Sequence, residues 1–235
     1  MSLPFPYRAV PAVLAGAVTA LLAACTPSTA AGAAVPASVP TATPPAVVTP
    51  AAAPAPAPAA PAPVASTLSI PAAGVTGLRV VPYEGTTDDV AGTRIQDLGA
   101  AASPYGKRGG VGPGQVGNFL VTAHRMSAGG PLGDLPAVGP GDTVLVTVGE
   151  VVYTYEITTT RKTSFRSERS LSEQRAAVPG APGAAPTQAR ITISTCATPE
   201  DHAQGNFWKD AQGNPEHRID KIGVLRTTSA AVPAG

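Results

Sequence analysis

The sequence predicts a mainly β domain, closed into an antiparallel or mixed barrel with one or two short helices, on three observations. Strand-length apolar runs recur between Gly- and Pro-rich turns, one pair of runs alternates with period two across a two-residue turn, and helical periodicity is confined to two short stretches. Short strands punctuated by turns fit a barrel better than an alternating α/β sheet. The size agrees: roughly 165 residues remain once a low-complexity N-terminus is set aside, enough for one domain with a single core.

In chain order the first element is a leader. Arg8 is the only charged side chain before Arg79, and the apolar stretch over residues 13–24 has the length of a signal-peptide core. It ends in Leu22-Ala23-Ala24-Cys25, which is similar to the lipobox of bacterial lipoproteins, where the cysteine is lipidated and becomes the mature N-terminus. The competing reading is an uncleaved membrane anchor over residues 9–25, at the short limit for crossing a bilayer. Either way, residues 1–25 imply an extracytoplasmic protein tethered to the cell membrane, by lipid on Cys25 or by the anchor itself. Residues 26–66 form an Ala/Pro-rich linker that cannot bury a core. Its prolines favour extended polyproline II, which at ~3.1 Å per residue reaches on the order of 100 Å. The folded part spans residues 67–230, and residues 231–235 read as a flexible tail.

Within the folded part the strand candidates are residues 68–70, 78–82, 117–124, 142–148, 151–159, 190–196 and 219–227. The clearest are 142–148 and 151–159. In the second, Val151, Tyr153, Tyr155 and Ile157 alternate with Val152, Thr154, Glu156 and Thr158, and Gly149-Glu150 places Gly at the first central position of a type II′ turn. Helix is expected at 86–98 and 171–177. The loops 164–189 and 197–217 are longer than a compact domain carries without a functional reason.

A net charge of +1 and a charged fraction of 13% give no electrostatic footprint for DNA or RNA. The chemistry lies instead in three strand-end side chains. Cys196 closes one apolar run and is the only cysteine of the folded part. With lipid on Cys25, it has no intramolecular partner and stays a free thiol. Only the thiolate is nucleophilic, so a catalytic cysteine needs a base or cation beside it. His124, ending a second run, can act as that base and protonate a leaving amine. Arg218, opening a third, stays charged and offers five donors to a carbonyl or an oxyanion. Together the three suggest one cysteine acyl-transfer site. His202 and His217 are nearer to Cys196 in sequence, and either can take the place of His124. An inert core thiol and a solvated surface arginine are the structural readings of the other two.

The segment Ile191-Thr192-Ile193-Ser194-Thr195-Cys196 resembles the TLxTC signature of sortases and keeps its Thr-Cys pair. Gly117-Asn118-Phe119-Leu120-Val121-Thr122-Ala123-His124-Arg125 resembles the strand and GHR-type turn that carry the family histidine, with Ala123 where many members have Gly. Gly133-Asp134-Leu135 and Gly139-Pro140-Gly141-Asp142 resemble the stretch that follows it, and His217-Arg218-Ile219 the segment bearing the family arginine. The resemblance spans roughly residues 67–228 and is greatest to class E, the housekeeping type of actinobacteria, which the high Ala, Gly and Pro content also fits.

What the resemblance implies is a closed eight-stranded sortase-type β-barrel and a cysteine transpeptidase. Cys196 would attack the Thr–Gly bond of an LPxTG- or LAxTG-type C-terminal sorting signal on a secreted protein, and an amine of a peptidoglycan precursor would resolve the thioacyl-enzyme. His124 would be the acid/base, Arg218 the carbonyl and oxyanion ligand, Thr195, Ala123 and Thr122 neighbours of the substrate, and loop 164–189 a wall of the groove. No cofactor or metal is implied. Two features depart from the family pattern. The Cys196–Arg218 separation is long, so that loop 197–217 is expected to cover the cleft. A lipobox-like leader also stands where members more often keep a transmembrane anchor.

Other signals are weaker. Gly112-Pro113-Gly114-Gln115-Val116-Gly117 matches a dinucleotide fingerprint, but a strand follows it where a helix is required, so it reads as a loop. Glu200-Asp201-His202 lacks the paired spacing of a zinc site and reads as an exposed acidic loop. Phe207 and Trp208 either line a peptide groove or pin the long loop. Rival functions are a cysteine peptidase that only hydrolyses, an L,D-transpeptidase, and a tethered β-domain that binds the cell wall without catalysis. The second lacks its expected Ser-x-Gly-Cys and following arginine, since Thr195 precedes Cys196 and Thr198 occupies the later position.

Overall fold

The computed structural model describes residues 62–231. The leader with Cys25, most of the Ala/Pro-rich linker and the last four residues lie outside the described residues. Eight strands close into a barrel: β1 Ser66–Ile70, β2 Val75–Glu84, β3 Ala101–Tyr105, β4 Gly117–Thr122, β5 Thr143–Val148, β6 Val151–Ser164, β7 Ala189–Cys196 and β8 His217–Ala230, ordered β1-β2-β3-β4-β7-β8-β6-β5. Three short helices connect them among the described residues: α1 Val90–Asp97, α2 Glu168–Arg175 and α3 Thr198–Ala203.

The β5–β6 hairpin forms where period-two patterning predicts it. Val148 pairs with Val151 across the turn. Gly149 has φ 54° while Glu150 stays on the negative side, so the turn is not type I′, which needs both positive, and a glycine suits its first position. Val144 and Val146 of β5 and Tyr155 and Ile157 of β6 point into the core beside Phe119, Val121, Ile191 and Ile193. Full burial of each such aliphatic side chain contributes roughly 1.5–3 kcal/mol.

Several boundaries differ from the sequence reading, each for a local reason. α1 begins at Val90 instead of residue 86 because Asp88 is left-handed, φ 58°, and Asp89 caps the helix by accepting from the Gly92 amide at 2.8 Å. α2 begins at Glu168, three residues early, because the Ser167 hydroxyl caps it by accepting from the Ser170 amide. β3 was not expected. Its Ala-Ala-Ser-Pro-Tyr composition lacks β-branched residues, but it pairs in parallel with β2 and its small residues are buried. β6 runs on to Ser164 because its polar end pairs residue by residue with β8, Thr163 opposite Arg218. The Gly112–Gly117 stretch is the loop that enters β4, as read.

Candidate active site

Two strand pairings bring the three chemically active side chains to one place. β4 and β7 run parallel with Thr122 opposite Ser194, and the Ala123 amide continues the ladder by donating to the Ser194 carbonyl at 3.2 Å. Just past the end of β4, His124 lines the same cleft as Cys196. β7 and β8 run antiparallel with Cys196 opposite Arg218. Neighbouring strands lie about 4.8 Å apart, so residues in register on three adjacent strands present their side chains to one site on one face of the sheet.

Arg218 donates from Nη1 to the Cys196 Sγ and from Nη2 to Asn214 Oδ1 at 2.7 Å. Its plane covers the Phe165 ring at 4.8 Å, and its side chain is only 2% exposed. Asp88 Oδ2 lies 3.1 Å from Nη2. Burial pulls the Arg218 pKa down, but the charges of Asp88 and then Cys196 outweigh it, so the net direction is up. Burial pushes the Cys196 thiol up, the Arg218 guanidinium opposes that rise, and Asp88 adds to it.

His124 shares a cleft of about 330 Å³ with Cys196, Asp97, Arg125, Lys209 and Asn214. Its Nε2 bonds Asp97 Oδ1 at 2.8 Å, which leaves Nδ1 as the ring nitrogen for acid–base work. Arg125 fixes the floor: its Nη1 reaches the Cys196 carbonyl at 3.5 Å and pairs with Glu200. Loop 197–217 lines the cleft, as its length suggested, through Lys209 and the turn at Asn214. Asp210 holds that turn by accepting from the Asn214 amide at 2.8 Å and its side-chain Nδ2 at 2.9 Å.

The same sheet face carries a buried polar network beneath α2. Gln174 accepts from the Thr87 hydroxyl at 3.0 Å and donates to Asp220 Oδ1 at 2.9 Å and Ser194 Oγ at 3.3 Å. Thr163 donates to Asp220 Oδ2 at 2.6 Å. Burial nevertheless raises Asp220 above the usual carboxylate range.

Other expected residues fall elsewhere. Thr195, Ala123 and Thr122 do not line the cleft. All three are buried in the barrel wall, where the Thr195 hydroxyl donates to the Ala123 carbonyl at 2.9 Å and the Thr122 hydroxyl reaches the Ala102 carbonyl at 3.4 Å. Their hydrogen bonds tie together the strands on either side of Cys196 and His124. His217 bonds buried Asp201 through Nδ1 at 2.8 Å, and His202 packs against Phe207 with ring centroids 4.7 Å apart, so neither histidine lines the cleft. Glu200-Asp201-His202 is not an exposed acidic loop: it is the body of α3, where Asp201 is 1% exposed and also accepts from the His217 amide at 3.0 Å. Trp208 lies under the Arg166 guanidinium at 5.9 Å and pins the long loop to the segment before α2.

Sequence reasoning missed Asp88, Asp97, Arg125 and Asn214. Arg125 follows the histidine and Asn214 sits in a Gly-Asn-Pro turn, so both left a local signal. Asp88 and Asp97 left none, because only the docking of α1 on the barrel brings them to the site.

A protein-family model described as the sortase domain matches residues 68–211, which include His124 and Cys196 and stop short of Arg218. No curated protein matches the sequence. Among solved structures, sortase E from Streptomyces avermitilis is similar at 26% identity and TM-score 0.51, over 72% of this chain and 91% of that one. The SrtA sortase from Actinomyces oris is similar at 20% identity and TM-score 0.53, over 70% and 81%. Sortase E1 from Streptomyces coelicolor with a tripeptide in its active site is similar at 18% identity and TM-score 0.52, over 70% and 89%.

Proposed function

Because the chain belongs to the sortase family, we propose that it is a class E-like cysteine transpeptidase with Cys196, His124 and Arg218 as its catalytic residues. Its substrate is a secreted protein ending in an LPxTG- or LAxTG-type sorting signal, cut between Thr and Gly and joined to an amine of the cell-wall precursor. The observation that carries the reading is the Arg218 guanidinium on the Cys196 sulfur, with His124 in the same cleft. Class E is supported by the sequence resemblance and by the likeness to the S. avermitilis enzyme. An extracytoplasmic, membrane-tethered location is supported by the leader and the linker.

The chemistry follows from the arrangement. The Cys196 thiol passes its proton to His124, and the sulfur attacks the threonine carbonyl carbon. The oxyanion that forms is held by Arg218, the only fully buried cation beside Cys196 among the described residues. His124 returns the proton to the glycine nitrogen as the C–N bond breaks, leaving a thioester on Cys196. The acceptor amine then attacks that thioester, gives up a proton to His124, and releases the thiol.

The test is the full chain with a fluorogenic Leu-Ala-x-Thr-Gly or Leu-Pro-x-Thr-Gly peptide, with and without an added amine. Cleavage, an amine-linked product by mass spectrometry, and loss of both in Cys196→Ala are expected. Full activity in Cys196→Ala would sink the catalytic reading, and hydrolysis with no amine product at any acceptor concentration would make the protein a peptidase.

A further inference from the structure

Asp88 is placed at a conformational expense that its own bonds do not explain. It is a non-glycine residue in the left-handed region at φ 58°, a conformation L side chains rarely adopt, and its side chain is 2% exposed. One oxygen is spoken for: Oδ1 accepts from Gln96 Nε2 of α1 at 2.9 Å. The other, Oδ2, accepts no hydrogen bond, yet it lies 3.1 Å from Arg218 Nη2. Nη2 is itself aimed at Asn214 Oδ1 at 2.7 Å, and the Arg218 Nε has no partner. The contact is therefore a close charge pairing, not an aligned hydrogen bond.

Arg218 needs such a counter-charge. It is buried, its Nη1 is on the Cys196 sulfur, and its face is against the apolar ring of Phe165. An uncompensated cation there is strongly disfavoured, because burial strips a lone charge of its hydration. The acid nearby on β8, Asp220, is bonded to Thr163 and Gln174 and is pushed toward its protonated form by burial. Asp88 is thus the carboxylate that balances Arg218.

We propose that Asp88 is a positioning residue for this chemistry: paired with Arg218 in the buried wall of the cleft, it holds the guanidinium against Cys196 and governs how readily the thiol is released for attack. The proposal rests on Cys196 being the nucleophile. Its effect on the sulfur has a definite sign. Arg218 lowers the thiol pKa, whereas Asp88 opposes it, both directly and by offsetting the arginine's charge. The other charged groups around the sulfur are His124, just past β4, with Asp97 of α1 behind it, Lys209 from loop 197–217, and Arg125, which faces the Cys196 carbonyl and pairs with Glu200 of α3.

The experiment is the pH profile of Cys196 alkylation by iodoacetamide on the full chain, read as the midpoint separately from the high-pH plateau. Cys25 is blocked or replaced by Ser in every sample so that only one thiol reports. Asp88→Asn keeps the shape and the bond from Gln96 but removes the charge. Its midpoint is expected to fall, with the rate at pH 7 rising about three- to tenfold at an unchanged plateau. Over the same change peptide cleavage falls about threefold in kcat, since Arg218 stays beside the sulfur through Asn214 and Phe165 but is less firmly aimed. Asp88→Glu, which keeps the charge, restores the midpoint in part. An unchanged midpoint in a folded Asp88→Asn overturns the proposal, as does a rise in plateau alone, which marks loosening of the cleft. If Asp88→Asn fails to fold, Gln96→Leu frees the carboxylate to turn from Arg218, and a midpoint equal to the parent's then overturns it. Because alkylation needs no sorting signal, a failed transpeptidase assay and a failed Asp88 test are distinguishable.

Discussion

Arg218→Lys separates charge from geometry at the centre of the cleft. The guanidinium serves Cys196 Sγ with one nitrogen and Asn214 with another at 2.7 Å, while its flat face lies on Phe165 at 4.8 Å. A lysine brings the charge but a single nitrogen, so it can reach the sulfur or Asn214 and not both. Leaving a buried partner of a charge-assisted hydrogen bond unmet is unfavourable by about 1.5–3 kcal/mol. For a domain of this size that lowers the melting midpoint by about 3–12 °C. For the reaction, losing one oriented oxyanion donor typically reduces kcat by about 10²–10³, and substrate affinity in the ground state is not involved. We expect kcat for peptide cleavage to fall about 100-fold with KM changed less than about threefold. The assay is steady-state cleavage of the fluorogenic peptide beside a melting curve of the same sample. A kcat within about threefold of the parent would refute the argument that a planar, two-nitrogen cation is what the cleft uses.

Further outcomes are expected. His124→Ala should lower kcat/KM by about 10²–10⁴, whereas Asp97→Asn should lower it only about three- to tenfold, because the Asp97 carboxylate is 60% exposed and water screens its pull on the ring; equal losses in the two would contradict this. Gln174→Leu strips partners from Thr87, Ser194 and Asp220 at once and should destabilise by about 2–4 kcal/mol, read as a shift in urea midpoint. Asp220 has a raised folded-state pKa, so the folded state holds its proton more tightly than the unfolded chain, and that contribution is lost as pH rises from the ordinary carboxylate value through the raised one. The melting midpoint of Asp220→Asn relative to the parent should therefore increase across that rise, and a difference independent of pH would show that Asp220 does not titrate there.

The legible parts of the fold are those whose cause is local. The β5–β6 hairpin follows from alternation and a glycine at one turn position, and the approximate sites of α1 and α2 follow from short amphipathic stretches. α3 was also within reach, since Thr198-Pro199-Glu200-Asp201 carries the proline and acids of a helix start. β3 was not. Its alanines, serine and proline have no strand propensity, and they are buried in a strand because β2 and β4 flank them and the tight space favours small side chains. The ends of β6 and β8 were equally hidden, because polar residues such as Thr163 are buried there by bonding Asp220 on the partner strand.

The site divides along the same line. By itself the sequence determined which side chains can do chemistry: a thiol, an imidazole and a guanidinium, each at the end of an apolar run, in an order resembling one family. Those are properties of residue type and strand periodicity, written along the chain. Only the tertiary structure decided that β7 lies between β4 and β8, with Cys196 opposite Arg218 and His124 in the same cleft. It alone excluded His202 and His217 from the cleft, withdrew Thr122, Ala123 and Thr195 into the wall, and delivered Asp97 from α1 and Asp88 from the turn before it. The physical reason is that charge balance and hydrogen bonding in a buried site are set by distances across the barrel, between residues far apart in the chain, and no local pattern records them.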